Sequence, residues 1–114
     1  MKLLQAQFEF SRNLAKLILY CNAHGYEISF GELYRTQEQQ DIYLKSNKTK
    51  VHHSQHQERL AVDITLFKDG TIIQSGSAYS ECHLFWKSLN ENNTGEFKNG
   101  YDQYHFEMRS PNGL

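Results

Sequence analysis

The sequence has 114 residues, a length that suits one compact domain and is short for two. Lys plus Arg number 12 and Asp plus Glu 13, so a net charge of -1 supplies no electrostatic case for nucleic acid or an anionic membrane as partner. Hydrophobic residues at 39% and aromatics at 13% fit a modest folded core and exclude a disordered chain.

Phe10, Leu14, Leu17, Ile18 and Cys21 recur at helical spacing and predict an amphipathic helix over about 6–24, closed by His24-Gly25. Glu9, Arg12 and Lys16 interrupt its apolar character. No signal peptide or membrane span is therefore expected, and synthesis is expected in the cytoplasm. Glu27 to Leu33 partly alternates and reads as a short strand. Thr36 with Gln39 forms a capping-box pattern for a helix over 37–45, and the polar stretch 46–55 reads as a loop.

Leu60, Val62, Ile64 and Leu66 alternate with Ala61, Asp63 and Thr65, the pattern of a strand with one apolar face. Lys68-Asp69-Gly70 is a turn signal from which Thr71 to Ile73 pairs back as a hairpin. Ser77 is the expected cap of a third helix striped by Tyr79, Cys82, Trp86 and Leu89. Glu91 to Gly100 reads as a polar loop holding a short strand at Glu96 to Lys98. Tyr104, Phe106 and Met108 then alternate with Gln103, His105 and Glu107 in a last strand. The expected class is α+β: about three helices on one face of a small, mainly antiparallel sheet. Cys21 and Cys82 match no CxxC pattern and read as buried free thiols.

Strand parity singles out two chemical groups. If the apolar faces of both alternating strands lie under the helices, Asp63 and His105 share the opposite face. A carboxylate beside an imidazole there is a natural pair of metal ligands. His56 lies at the mouth of the same strand as Asp63, close enough for the chain to return a third ligand. Two His and one Asp leave an open fourth position on a tetrahedral zinc, as a catalytic site requires. Asp102, in the bend after Gly100, is placed to act as general base.

Ser54-Gln55-His56 followed by Leu60-Ala61-Val62-Asp63 resembles the S-x-H…A-x-D signature of a zinc peptidase family. That family includes D-Ala-D-Ala carboxypeptidases and L-Ala-D-Glu endopeptidases (VanY-like, with a hedgehog-type fold). Tyr101-Asp102-Gln103-Tyr104-His105-Phe106-Glu107 is similar to its second signature, ending D-x-x-H-F-E, and Tyr34 to Gln40 to its YR(S/T)xEEQ segment. The motif order resembles the short phage endolysin branch. The resemblance implies zinc held by His56, Asp63 and His105, with Asp102 as catalytic base. It implies Arg35 as the cation that steadies a carbonyl oxygen or grips a substrate carboxylate.

Glu107 shares the face of His105 and is expected to orient a ligand rather than act as one. Ser54 is expected to shape the loop or hydrogen-bond near the metal. His53 is nearer the site than His52 and is a candidate substrate contact, while His24 and His83 read as structural. Many relatives carry Gly at the position of Arg59. The implied activity is hydrolysis of peptidoglycan stem peptides, most simply at L-Ala-D-Glu, by a monomer acting on the wall from the periplasm after membrane permeabilisation. A D-Ala-D-Ala carboxypeptidase or dipeptidase is the alternative enzyme, and a catalytically silent zinc-binding interaction module the alternative of another class.

Overall fold

The structure, a computed structural model, describes residues 2–46, 54–95 and 102–111. His52, His53 and the expected strand at Glu96 to Lys98 lie outside the described residues. The first helix, α1 (Leu3–Ala23), starts earlier than its apolar stripe because the Lys2 amide donates to the Gln5 carboxamide at 2.8 Å. It ends where Gly25 takes φ +86° and the amides of Tyr26 and Gly25 return to the carbonyls of Cys21 and Asn22. This paired closure favours glycine because other residues meet a Cβ clash in the left-handed region. Its buried face is Ala6, Phe10, Asn13, Leu17 and Cys21.

Strand β1 (Glu27–Phe30) is shorter than the expected Glu27 to Leu33. Next come α2 (Gln37–Lys45), β2 (Ala61–Lys68), β3 (Thr71–Ile73) and α3 (Ser77–Leu89). The last strands are β4 (Asn93–Thr94) and β5 (His105–Met108). Helix α2 is capped as its sequence dictates, with Thr36 Oγ1 accepting from the Gln39 amide at 3.1 Å. The β2–β3 hairpin turns through Asp69 and Gly70, both at positive φ, a turn whose twist matches that of its strands.

The sheet runs β1-β2-β5-β4 with β3 also on β2, and every pairing is antiparallel. Leu60, Val62, Ile64 and Leu66 from the β2 segment pack with Phe106 and Met108 of β5 against Phe10, Leu17, Tyr79 and Trp86 of the helices. The aromatic side chains of α3 also carry polar tips that bind the sheet. Tyr79 Oη donates to the Ile73 carbonyl at 2.6 Å and accepts from the Leu66 amide at 3.0 Å. Trp86 Nε1 donates to the carbonyls of Glu107, at 2.9 Å, and Thr94. Each buried ring thus adds area and fixes where a strand end lies.

Two expectations need correction. Ser77 is not the cap of α3. Gly76 is, at φ +113°, because the chain leaving β3 turns there through a conformation that only glycine adopts cheaply, and Ser77 becomes the first helical residue. The loop after α3 also carries a strand earlier than the one expected at Glu96 to Lys98, namely β4 at Asn93–Thr94. Asn93 is buried, its side-chain amide donating to the Trp86 carbonyl, and this pins β4 to β5 through backbone pairing that no side-chain periodicity signals. Among the described residues no helix is long and apolar enough to cross a membrane.

Candidate metal centre

The register of β2 on β5 places Asp63 directly opposite His105. Both lie on the face turned away from the core, since their neighbours Val62, Ile64 and Phe106 are the buried set. His56 comes from the turn between residue 54 and β2. There Ser54 Oγ accepts from the His56 amide at 3.1 Å, and the Ser54 amide donates to Gln57 Oε1 at 2.9 Å. These local bonds roll the chain so that the His56 ring returns over the start of β2.

The three side chains converge on one point. Asp63 Oδ1 is 3.4 Å from His56 Nε2 and 3.2 Å from His105 Nδ1, and the three ligand atoms lie within 4.8 Å of one another. Both rings are buried. The nitrogen of each ring facing away from this point has its own partner: His56 Nδ1 the Leu33 carbonyl at 3.4 Å, His105 Nε2 the carboxylate of Glu107 at 2.6 Å. That arrangement fixes ring orientation and leaves one nitrogen of each imidazole for a cation, the support that metal-binding histidines receive. Two imidazoles and a carboxylate suit a borderline divalent ion, so the donor set fits zinc and can hold a metal ion.

Electrostatics follow from this crowding. Burial pushes Asp63 upward, but hydrogen bonds from His105 and His56 outweigh it and hold the carboxyl well below the ordinary range. Burial lowers the His105 imidazolium, yet the carboxylates of Asp63 and Glu107 raise it to about 9. Asp102 belongs to the same field. It begins the turn before β5, with its carbonyl accepting from the His105 amide at 3.1 Å. Burial raises its pKa, with His105, His56 and Arg35 pulling the other way.

Arg35 sits between β1 and α2, its amide bonded to the His56 carbonyl at 3.3 Å. Its Nε donates to the Glu32 carboxylate, its Nη1 to Gln40 Oε1 at 2.8 Å, and its guanidinium covers the Tyr43 ring at 4.7 Å. Tyr43 Oη in turn donates to Glu32 at 3.0 Å. Glu32, Gln40 and Tyr43 were not anticipated as site residues. Gln40 closes the YR(S/T)xEEQ-like segment and Tyr43 lies three residues on along the same helix, so part of that signal was present. Glu32 carries none.

Glu32 owes its position to an irregularity at the end of β1. The Gly31 amide donates to the Asp63 carbonyl, and the Asp63 amide donates to the Glu32 carbonyl, so two residues stand opposite one, as in a bulge. A Cβ on Gly31 would sit 3.1 Å from that of Asp63, so glycine permits the close approach. Arg59 is in the left-handed region at φ +58° and lays its guanidinium over the Tyr34 ring at 4.3 Å. Glycine is the residue that adopts such a backbone at least cost.

No protein-family model matches the chain, and no curated protein matches it in sequence. The fold does match a solved structure, the Serratia marcescens L-Ala D-Glu endopeptidase ChiX, with a TM-score of 0.72. That alignment covers 87% of this chain and 77% of the other, at 16% identity. The chain therefore shares its fold with a peptidase.

Proposed function

We propose that the protein is a zinc-dependent peptidoglycan peptidase of the phage endolysin type, a monomer cleaving stem peptides between L-Ala and D-Glu. The observation that carries this reading is the convergence of His56, Asp63 and His105 with both far ring nitrogens held, beside Asp102 and Arg35. The activity named for the fold neighbour supports the substrate class. In this reading the protein reaches that substrate in the periplasm after membrane permeabilisation.

The chemistry zinc supplies when bound is Lewis acidity, toward the scissile carbonyl and toward a water whose pKa it lowers to about 7. Asp102 takes the proton of the attacking water and returns it to the leaving amine. Its raised pKa suits a group that must hold a proton between those two events. Arg35 stabilises the developing oxyanion or grips a substrate carboxylate, and with Nε and Nη1 engaged by Glu32 and Gln40 it does so from its Nη2 end. Glu107 keeps the His105 ring turned with Nδ1 toward the metal position.

Mass spectrometry of muropeptides after digestion, with and without a chelator, tests this. The expected result is chelator-sensitive cleavage between L-Ala and D-Glu. Loss of a terminal D-Ala would instead assign a carboxypeptidase, and zinc binding without products would assign a silent interaction module.

A further inference from the structure

Cys21 and Cys82 are 61 positions apart in sequence, yet their sulfurs meet at 3.4 Å where α1 packs on α3. Both side chains are buried, at 1% and 0% exposure. Two ring contacts between the same helices hold them in this alignment. Tyr20 stacks on Phe85 with centroids 4.2 Å apart, and Phe10 meets Trp86 edge-on at 5.5 Å. The pair lies across the core from the metal centre and takes no part in the chemistry proposed for it. Either sulfur can donate its S–H to the other across this contact.

From this geometry we propose that Cys21 and Cys82 are a cross-linking site, forming an intramolecular disulfide when the chain folds in contact with a disulfide donor. The sulfurs need approach only to about 2 Å, the length of the bond. Because both are buried in the finished fold, the donor meets them before α1 and α3 close. The thiolate of one cysteine attacks one donor sulfur and expels the other as a thiol. The thiolate of the other cysteine then attacks the first cysteine's sulfur in that mixed disulfide and expels the second donor thiol. The donor disulfide is reduced to two thiols, and the cysteine pair loses two electrons and two protons. The loop so closed contains Arg35, His56 and Asp63, and tying its ends restricts the unfolded chain.

The test uses the full chain, unfolded and reduced, then refolded either in mixed oxidised and reduced glutathione or in dithiothreitol. In glutathione the expected product is two hydrogens lighter, shows no titratable thiol in denaturant, and yields a Cys21–Cys82 peptide. It should melt about 10 °C above the dithiothreitol product, a gain abolished by reduction and absent from the Cys21→Ser, Cys82→Ser double variant. Two titratable thiols, glutathione adducts, an inter-chain bond, or a disulfide without a rise in melting temperature would each overturn the proposal. None of these readouts depends on hydrolysis or on a bound metal.

Discussion

Asp102 shares an electrostatic field with His56, Asp63 and His105 but is not one of the three convergent ligand atoms. Asp102→Ala should therefore reduce hydrolysis by about 100-fold or more while metal content stays near one ion per chain, measured by elemental analysis beside the muropeptide assay. Metal lost together with activity would make it a ligand. Glu32→Gln, which keeps the shape but removes the charge opposite Arg35, should lower kcat about tenfold with little change in melting temperature. Arg59 makes a stability prediction. Replacing it with Gly relieves about 1 kcal/mol of left-handed strain and forfeits about 0.5–1 kcal/mol of stacking on Tyr34. Chemical unfolding should find Arg59→Gly close to wild type, and Arg59→Val, with a branched Cβ and no cation, clearly less stable.

At the scale of elements, β2 is the reference for everything else. One side of it carries β1 and the bulge that delivers Glu32, and the other carries β5 and His105. Gly31→Ala pushes on Asp63 at that seam, so metal affinity should fall about tenfold in a competition titration while the metal-free melting temperature moves little. Much of this was legible because parity is absolute in a strand. Once Val62 and Ile64 are inside, Asp63 is outside, and the same holds for His105 beside Phe106. What parity cannot give is contact between distant segments. Asn13 and Gln40, both fully buried, interrupt patterns that would mark an interior, and Gln40 is there to bind Arg35. The meeting of Cys21 with Cys82 depends on how α1 lies on α3, which no local spacing encodes. Nor does any local spacing mark the left-handed φ of Arg59.

For the whole molecule, metal, proton and fold are linked through His105. Its folded-state pKa is about 9, above the ordinary 6.5, so in the metal-free protein the protonated ring stabilises the fold fully below pH 6.5. That contribution is lost as pH rises through about 9. A metal ion competes with the same proton, so its apparent affinity should increase across this window and level off above it. Calorimetry at pH 7 in buffers of different ionisation enthalpy should detect release of about one proton per ion bound. Thermal melts should show metal-free and metal-loaded protein diverging as pH rises. Equal divergence at every pH would remove His105 as the linked group.

The turn that begins with Asp102 is fastened from the core side. His83 stacks on Phe106 at 4.0 Å and its Nε2 bonds the Gln103 carbonyl at 2.7 Å, while Tyr104 Oη donates to the Gln74 carbonyl at 2.6 Å. A surface turn ordinarily frays on its own, but this one can open only by disturbing a ring stacked inside the molecule. The amide hydrogen of His105 should accordingly exchange with solvent as slowly as those in the middle of β2, as part of one cooperative unit. The proposed base is thus held in place by the free energy of the entire core, and local heating or mild denaturant should silence it no sooner than the sheet itself gives way.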